Sequence, residues 1–193
     1  MIKIKKNFIK KILASCIVLF FSIGCTNSNQ VKEIEILTYF NSAKDYQMYA
    51  SIEKSGFTQT LFNNKTSHHI DNCQSRIRKS FMDSLLSVCK NKKEKDFNFK
   101  STKRTLYCGN WHSVKITFEN GEKIMFKYPF ANKENKQFLP FKSLLNQIQK
   151  DSLQATRLNI GQLGQLYLKQ KELSNVAFKK DSIFNLQFIK KRK

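Results

Sequence analysis

Two short stretches of the chain contain the side chains whose types and spacing could do chemistry. The first holds four side chains of the kinds that bind zinc, namely His68, His69, Asp71 and Cys73. Adjacent histidines rarely face one ion, and neither a His-x-x-x-His nor a Cys-x-x-Cys motif accompanies them. We therefore interpret this stretch as the loop and cap that lead into a helix. We expect no metal and no other cofactor.

The second stretch contains Cys108 and His112, which could form a nucleophile and its base. Such a pair needs a thiol with a lowered pKa and a third group that orients the imidazole, and the sequence indicates neither. Gly109 more simply indicates a bend or bulge where a strand begins. The chain also contains no glycine-rich phosphate loop and no G-x-S-x-G motif. The sequence thus predicts a protein that is not an enzyme.

The residues before Cys25 are typical of an export signal. Five lysines and no acidic residue lie within residues 3–11, and residues 12–24 are almost entirely apolar. This apolar run is long enough for a cleaved signal but shorter than the roughly 20 residues of a membrane-spanning helix. Residues 1–24 are therefore predicted to be a signal peptide.

Two cysteines compete as the processing site. Leu13-Ala14-Ser15-Cys16 has small residues before the cysteine, but only four residues separate Cys16 from Lys11. Ser22-Ile23-Gly24-Cys25 follows the complete apolar run and precedes a polar stretch that suits a tether. This segment resembles bacterial lipoprotein signals, which implies lipidation of Cys25. Ser22 and Gly24 also suit plain secretory cleavage, which would release a soluble exported protein.

A lipidated Cys25 would place the protein at a membrane of the cell envelope. One acyl chain anchors a protein only marginally, whereas two or three, palmitate among them, hold it firmly. No acidic run after Cys25 indicates display on the cell exterior. We expect the periplasmic side of an envelope membrane, with the outer membrane favoured.

The charge of the chain limits the classes of partner. The formal charge is +21, and removal of residues 1–24 takes away five lysines and no acid, which leaves +16. Anionic lipid, lipopolysaccharide and acidic glycan would suit this charge. Abundant Lys, Asn, Ile and Phe are also typical of an AT-rich genome, so the charge can arise without a partner. Arginine, which reads phosphates and base edges, is scarce, so we expect no nucleic-acid binding.

Three cysteines remain if Cys25 is lipidated and Cys16 is removed. They allow at most one disulfide bond in an oxidising periplasm. Cys89 lies on the apolar face of a predicted helix, where a buried free thiol is common. If a bond forms, Cys73 and Cys108 are the preferred pair.

Strands are predicted where apolar residues alternate. Strands are predicted near the N-terminus over residues 33–40 and 46–52, and a turn at Lys54-Ser55-Gly56 leads into a return strand over 57–62. This return strand alternates poorly, so the register of the first hairpin is left open. A second hairpin begins near Trp111, and its apolar residues share one face only if Ile116 pairs with Ile124. That pairing requires a three-residue loop, Glu119-Asn120-Gly121, with Gly121 in the left-handed position.

Helices are predicted from the helical period of apolar residues. Asp71 and Gln74 suit a helix start. The apolar face that follows consists of Ile77, Phe81, Met82, Leu85, Val88 and Cys89. A charged loop is predicted over residues 90–103. Pro140 suits the first turn of a second helix, whose apolar face is Phe141, Leu144, Leu145 and Ile148.

Beyond Asp151 the pattern is weaker. Residues 160–167 suit a short helix that contains two glycines. The alternating residues Phe184, Leu186 and Phe188 suit either a last strand or part of a frayed basic tail.

The order of these segments resembles a small hairpin–helix–hairpin–helix domain. The resemblance rests on "YQMYASIEKSGFTQT", "RKSFMDSLLSVC", "VKITFENGEKIMFKYP" and "FLPFKSLLNQIQ" and covers about residues 33–150. Such domains occur in envelope lipoproteins of Bacteroidetes-type bacteria, whose function is not established. The resemblance implies a location and a fold, and it supplies no activity and no site residues.

The sequence therefore predicts an α+β protein with a mainly antiparallel sheet of about five strands, packed on one face by two or three helices. The expected organisation is a signal peptide at 1–24, a tether at 25–32, the α+β domain at 33–150 and a C-terminal extension at 151–193. The expected function is non-enzymatic binding or scaffolding of an envelope component through the sheet. The alternatives are an electrostatic binder of anionic lipid, lipopolysaccharide or acidic glycan, and a periplasmic inhibitor or immunity-type protein.

Overall fold

The computed structural model describes residues 30–40, 46–64, 69–97, 109–129, 136–152 and 155–190, without the side chains of residues 64, 69, 70, 152 and 179–190. The predicted signal peptide, Cys16, Cys25, His68 and Cys108 lie outside these ranges. The described residues form an α+β fold built on one antiparallel sheet, as predicted.

Six strands make up this sheet, in the order β4-β3-β2-β1-β5-β6. They are β1 (Val31–Phe40), β2 (Tyr46–Glu53), β3 (Phe57–Asn64), β4 (His69–Arg76), β5 (Asn110–Phe118) and β6 (Lys123–Pro129). β1 is one of the two central strands. It begins at Val31, so the last two residues of the predicted tether, 31 and 32, belong to the strand.

The expected count of five strands is wrong because β4 lies where a helix start was predicted. Asp71 and Gln74 resemble a helix cap in sequence, yet they pair with Phe62 and Gln59 of β3. On its outer edge, β4 forms one isolated backbone bridge, in which Gln74 and Thr156 exchange hydrogen bonds of 2.7 and 3.3 Å. Pairing on both sides thus outweighs the weak local preference of this polar segment.

Within the described ranges, three α-helices and two short 3₁₀ helices flank the sheet. The α-helices are α1 (Lys79–Cys89), α2 (Leu139–Ser152) and α3 (Ile160–Lys190), and the 3₁₀ helices are Glu94–Phe97 and Lys136–Phe138. α1, α2 and both 3₁₀ helices cover one face and share a core with it. The apolar faces predicted for α1 and α2 are confirmed at Leu85, Cys89 and Phe141, which are buried.

The expectation that helices cover only one face is wrong. α3 is a single helix of 31 residues, where a short helix and a possible last strand were predicted. Leu166, Leu173 and Ala177 of α3 pack on the second face of the sheet against Leu37 and Tyr49. The segment treated as a C-terminal extension therefore contributes to the core.

The β5–β6 hairpin has the register that its apolar pattern predicts. Ile116 pairs with Ile124 and Val114 with Phe126, so both apolar sets face the same core. Gly121 has φ +83°, as the last position of the three-residue loop requires.

A buried ion pair lies on the second face, beneath α3. The Nζ of Lys115 contacts Oε2 of Glu35, and the Tyr49 hydroxyl donates to Oε1 of Glu35 at 2.6 Å. Glu35 and Lys115 are direct partners across β1 and β5, and only 1% and 6% of their surfaces are exposed. The second face thus combines an apolar core with charges that are almost completely buried.

Two glycines with positive φ offer a matched pair of substitutions. Gly56 (φ +84°) lies where an added Cβ would come within 2.6 Å of the Ile77 carbonyl oxygen, whereas Gly121 has no atom within 4 Å of that position. We expect Gly121→Ala to cost about 1 kcal/mol of left-handed strain. Gly56→Ala should cost clearly more, because it adds a backbone clash to the same strain. Urea denaturation of both variants measures the difference, and equal losses would contradict the close approach.

Candidate ligand-binding groove

A groove of about 870 Å³ opens at the end of the sheet where β1 begins. The β2–β3 turn, the end of β4 and the start of α1 reach the same end, because antiparallel neighbours alternate in direction. α3 contributes one side chain, Lys169, from the second face. The groove therefore collects residues that are far apart in the sequence.

The floor of the groove is apolar. Ile77 and Met82 are almost completely buried beneath it, and Leu86 is half-buried. The Ile77 amide donates to the Gly56 carbonyl at 2.9 Å, which ties the entry of α1 to the β2–β3 turn. The close packing at Gly56 thus sets the shape of this end.

The rim of the groove is charged, with more cations than anions. Its basic residues are Lys32, Lys54, Arg76, Lys79 and Lys169. Its acidic residues are Glu33, Glu53 and Asp83. Five basic and three acidic side chains give the lining a formal charge of +2.

Some of these charges are already paired. Lys169 donates to Glu33 at 2.6 Å, and Lys79 forms an exposed ion pair with Asp83 at 2.7 Å. Burial raises the pKa of Glu33, but hydrogen bonds from Lys169 and Ser51 outweigh this effect and leave the pKa below its ordinary value. Glu33 is therefore held as a carboxylate beside Lys169.

Lys32 and Arg76 of the rim are exposed, and neither has a carboxylate partner in the described part of the chain. Glu53, the remaining acid of the rim, lies directly opposite Glu33 on the neighbouring strand. Because Lys32 and Arg76 have no carboxylate partner among the described residues, they are the rim groups best suited to receive an anion. The arrangement can bind a negatively charged group beside an apolar floor.

The predicted metal-ligand cluster does not form a loop before a helix. Asp71 and Cys73 lie on β4, with Asp71 exposed and Cys73 buried, and only the backbone of His69 is described. Within the described ranges, no three or more His, Cys, Asp and Glu side chains are arranged to hold a metal ion.

His112 lies on β5, buried against the first face and far from Cys73. Its Nδ1 is 2.9 Å from the Thr38 hydroxyl, and its ring lies 5.0 Å from that of Tyr128. Four strand spacings of about 4.8 Å separate β5 from β4, the strand of Cys73. Cys73 and this imidazole therefore do not meet.

We expect His112 to make the protein less stable in mild acid. Burial, assisted by the charge of Lys142, lowers the pKa of His112 from 6.5 to about 4. Protons therefore bind the unfolded chain more tightly, so stability present above pH 6.5 is lost as the pH falls toward 4. The loss between pH 7 and pH 5 should be about 2 kcal/mol. Urea denaturation at both pH values measures it. The His112→Gln variant should lose most of this dependence, and an unchanged slope would contradict the assignment.

Cys89 is buried, as predicted, and burial raises its pKa to about 12. Burial also raises the pKa of Cys73. We expect neither thiol to react with iodoacetamide at pH 8 until the protein unfolds. Reaction of either at the rate of a free thiol would contradict this burial.

The predicted bond between Cys73 and Cys108 stays a prediction, because Cys108 lies outside the described residues. Of the two cysteines, Cys73 is described, on β4, and its thiol is free. Intact mass after alkylation in denaturant, with and without reduction, decides the point.

The residues of the groove were not singled out in the sequence. Lys32, Arg76 and Leu86 belong to three different elements, and the sequence contains many similar side chains. The signal that could have found them is the convergence of the β2–β3 turn, the end of β4 and the start of α1 at one end of the sheet. That signal becomes available only when the strand order is known.

Comparison with models of protein families and with curated proteins finds no match for the chain. In the described ranges, no helix has both the length and the apolarity needed to span a membrane. The geometry and charge of the groove are therefore the basis for a functional proposal.

Proposed function

We propose that the protein is a non-enzymatic binding protein of the cell envelope, anchored through a lipid on Cys25, which binds a negatively charged partner in the groove. The observation that carries this proposal is the pair of exposed cations, Lys32 and Arg76, beside the apolar floor. A hydrogen bond to a charged group is among the stronger polar contacts in water.

The groove is a better candidate than the sheet surface that the sequence suggested. Helices pack on both faces of the sheet, and the described aromatic side chains are mostly buried or half-buried. Among the described residues, the exposed large apolar side chains are Phe40, Leu139, Ile160 and Leu168. They belong to three different elements.

The anchor is tested by comparing two cysteine variants of the full chain. Cys25→Ser should remove the lipid and release the protein from membranes, whereas Cys16→Ser should leave attachment unchanged. Fractionation of cells and intact mass of the extracted protein provide the measurement. Continued membrane attachment and an unchanged mass in Cys25→Ser would contradict the anchor.

Binding is tested with inositol hexakisphosphate as a soluble anionic probe. The full chain in zwitterionic detergent should bind the probe, and Lys32→Glu/Arg76→Glu should weaken binding at least about tenfold, because two charge-assisted contacts are lost. The matched control, Lys90→Glu/Lys92→Glu, makes the same charge change at exposed residues after α1 and should have a smaller effect. Equal weakening by both variants would indicate a response to net charge and contradict the groove.

A further inference from the structure

The point at which the chain enters the fold lies beside the groove. The side-chain oxygen of Gln30 accepts a hydrogen bond of 2.6 Å from Lys54 in the β2–β3 turn. The backbone carbonyl of Gln30 accepts a hydrogen bond of 2.8 Å from the backbone amide of Glu119 in the β5–β6 turn. Lys54 is itself part of the groove rim. Gln30 is therefore fastened to both turns at this end of the sheet.

Cys25 is only five residues before Gln30 in the sequence. Five residues span at most about 17 Å when fully extended, and a flexible tether of this length has an average span of about 12 Å. A lipid on Cys25 thus keeps the end of the sheet that carries the groove close to the membrane surface.

The opposite end of the sheet is farther from the anchor by the length of the strands. β1 has ten residues, which corresponds to about 30 Å. Charges attract an anionic surface strongly only within about one Debye length, near 8–10 Å in physiological salt. Cations of the groove rim are therefore among the described cations best placed to contact lipid headgroups.

We propose that the groove docks on anionic phospholipid headgroups of the membrane in which Cys25 is anchored. This inference rests on the proposed function and names the partner of the same groove. Phosphodiester oxygens would accept hydrogen bonds from Arg76 and Lys32, and Arg76 can offer two parallel donors to one phosphate. The anchor supplies proximity and the rim supplies charge, so docking fixes the orientation of the domain on the membrane.

The test is lysine labelling of the full lipidated chain in vesicles. The protein is reconstituted in phosphatidylcholine vesicles, with or without phosphatidylglycerol, and labelled with a membrane-impermeant amine reagent. Mass spectrometry then gives the labelling rate of each lysine. Lys32, Lys54 and Lys79 should be labelled about fivefold more slowly on the anionic vesicles, the factor expected for a cation at such a surface. Lys136, near the other end of the sheet, should not change.

Two variants and a salt control make the result specific. Lys32→Glu/Arg76→Glu should abolish the protection of Lys54 and Lys79, and Lys90→Glu/Lys92→Glu should preserve most of it. The control residues follow α1 and lie outside the groove lining, the nearer one about 6 Å along the helix beyond Leu86. Protection should also disappear in 1 M salt, where the Debye length is about 3 Å.

The outcomes separate this inference from the proposed function. Flotation with both kinds of vesicle, but equal labelling of the groove lysines on both, would overturn the inference and leave the anchor intact. Failure to float with either kind would overturn the anchor itself. Protection by added inositol hexakisphosphate on phosphatidylcholine vesicles, without protection by phosphatidylglycerol, would overturn the inference and assign the groove to a soluble anion.

Discussion

Lys115→Met should lower the free energy of unfolding by about 3–5 kcal/mol, the usual cost of leaving a buried charge without its partner. Glu35 would remain beneath α3 with only the Tyr49 hydroxyl as a described side-chain donor. Urea denaturation at pH 7 measures the loss. The exposed pair offers a control within the same protein: Lys79→Met removes an ion pair with Asp83 and should cost less than about 1 kcal/mol.

A double variant separates the loss of the ion pair from the cost of the orphaned charge. Lys115→Met/Glu35→Leu replaces both charges with apolar side chains of similar volume and should recover most of the lost stability. A double variant as unstable as Lys115→Met alone would contradict this explanation. Charge pairing would then be less important than the shape of the site under α3.

Phe97→Ala should also lower the free energy of unfolding by about 3–5 kcal/mol, because it removes a large side chain from the core between the sheet and helices α1 and α2. The Phe97 ring stacks on Phe126 with centroids 4.2 Å apart and meets the edge of Phe141 at 5.9 Å. Thermal or urea denaturation measures the effect. Phe40→Ala, at a side chain that is 38% exposed, is the matched control and should cost much less. Similar losses in the two variants would contradict the buried position of Phe97.

Phe97 also illustrates what local sequence cannot show. It lies in a stretch dominated by charged residues, and the sequence predicted a loop there. The structure places a short 3₁₀ helix at Glu94–Phe97 and buries one aromatic ring from it. A single buried residue in a polar segment has no period, so no pattern distinguishes it from an exposed one.

The same reason explains the errors at β4 and α3. The residues of β4 are mostly polar, and the strand exists because β3 offers it a partner along eight positions. α3 is amphipathic only in part, because it covers a sheet face that contains Glu35 and Lys115 as well as apolar side chains. β4 lacks a clear alternation of apolar and polar residues, and α3 lacks a clear helical period of apolar residues, so neither element is predicted from sequence alone.

By itself, the sequence determined the elements with a clear apolar period: the β5–β6 hairpin with its loop at Gly121, the presence of the β2–β3 hairpin, and the buried faces of α1 and α2. These elements follow from the short-range periods of side chains along a strand or helix. Only the tertiary structure decided the sixth strand, the covering of the second face and the groove. Each of these depends on contacts between residues distant in the chain, as when Lys32, Arg76 and Leu86 meet at one end of the sheet, and such contacts leave no periodic trace in the sequence.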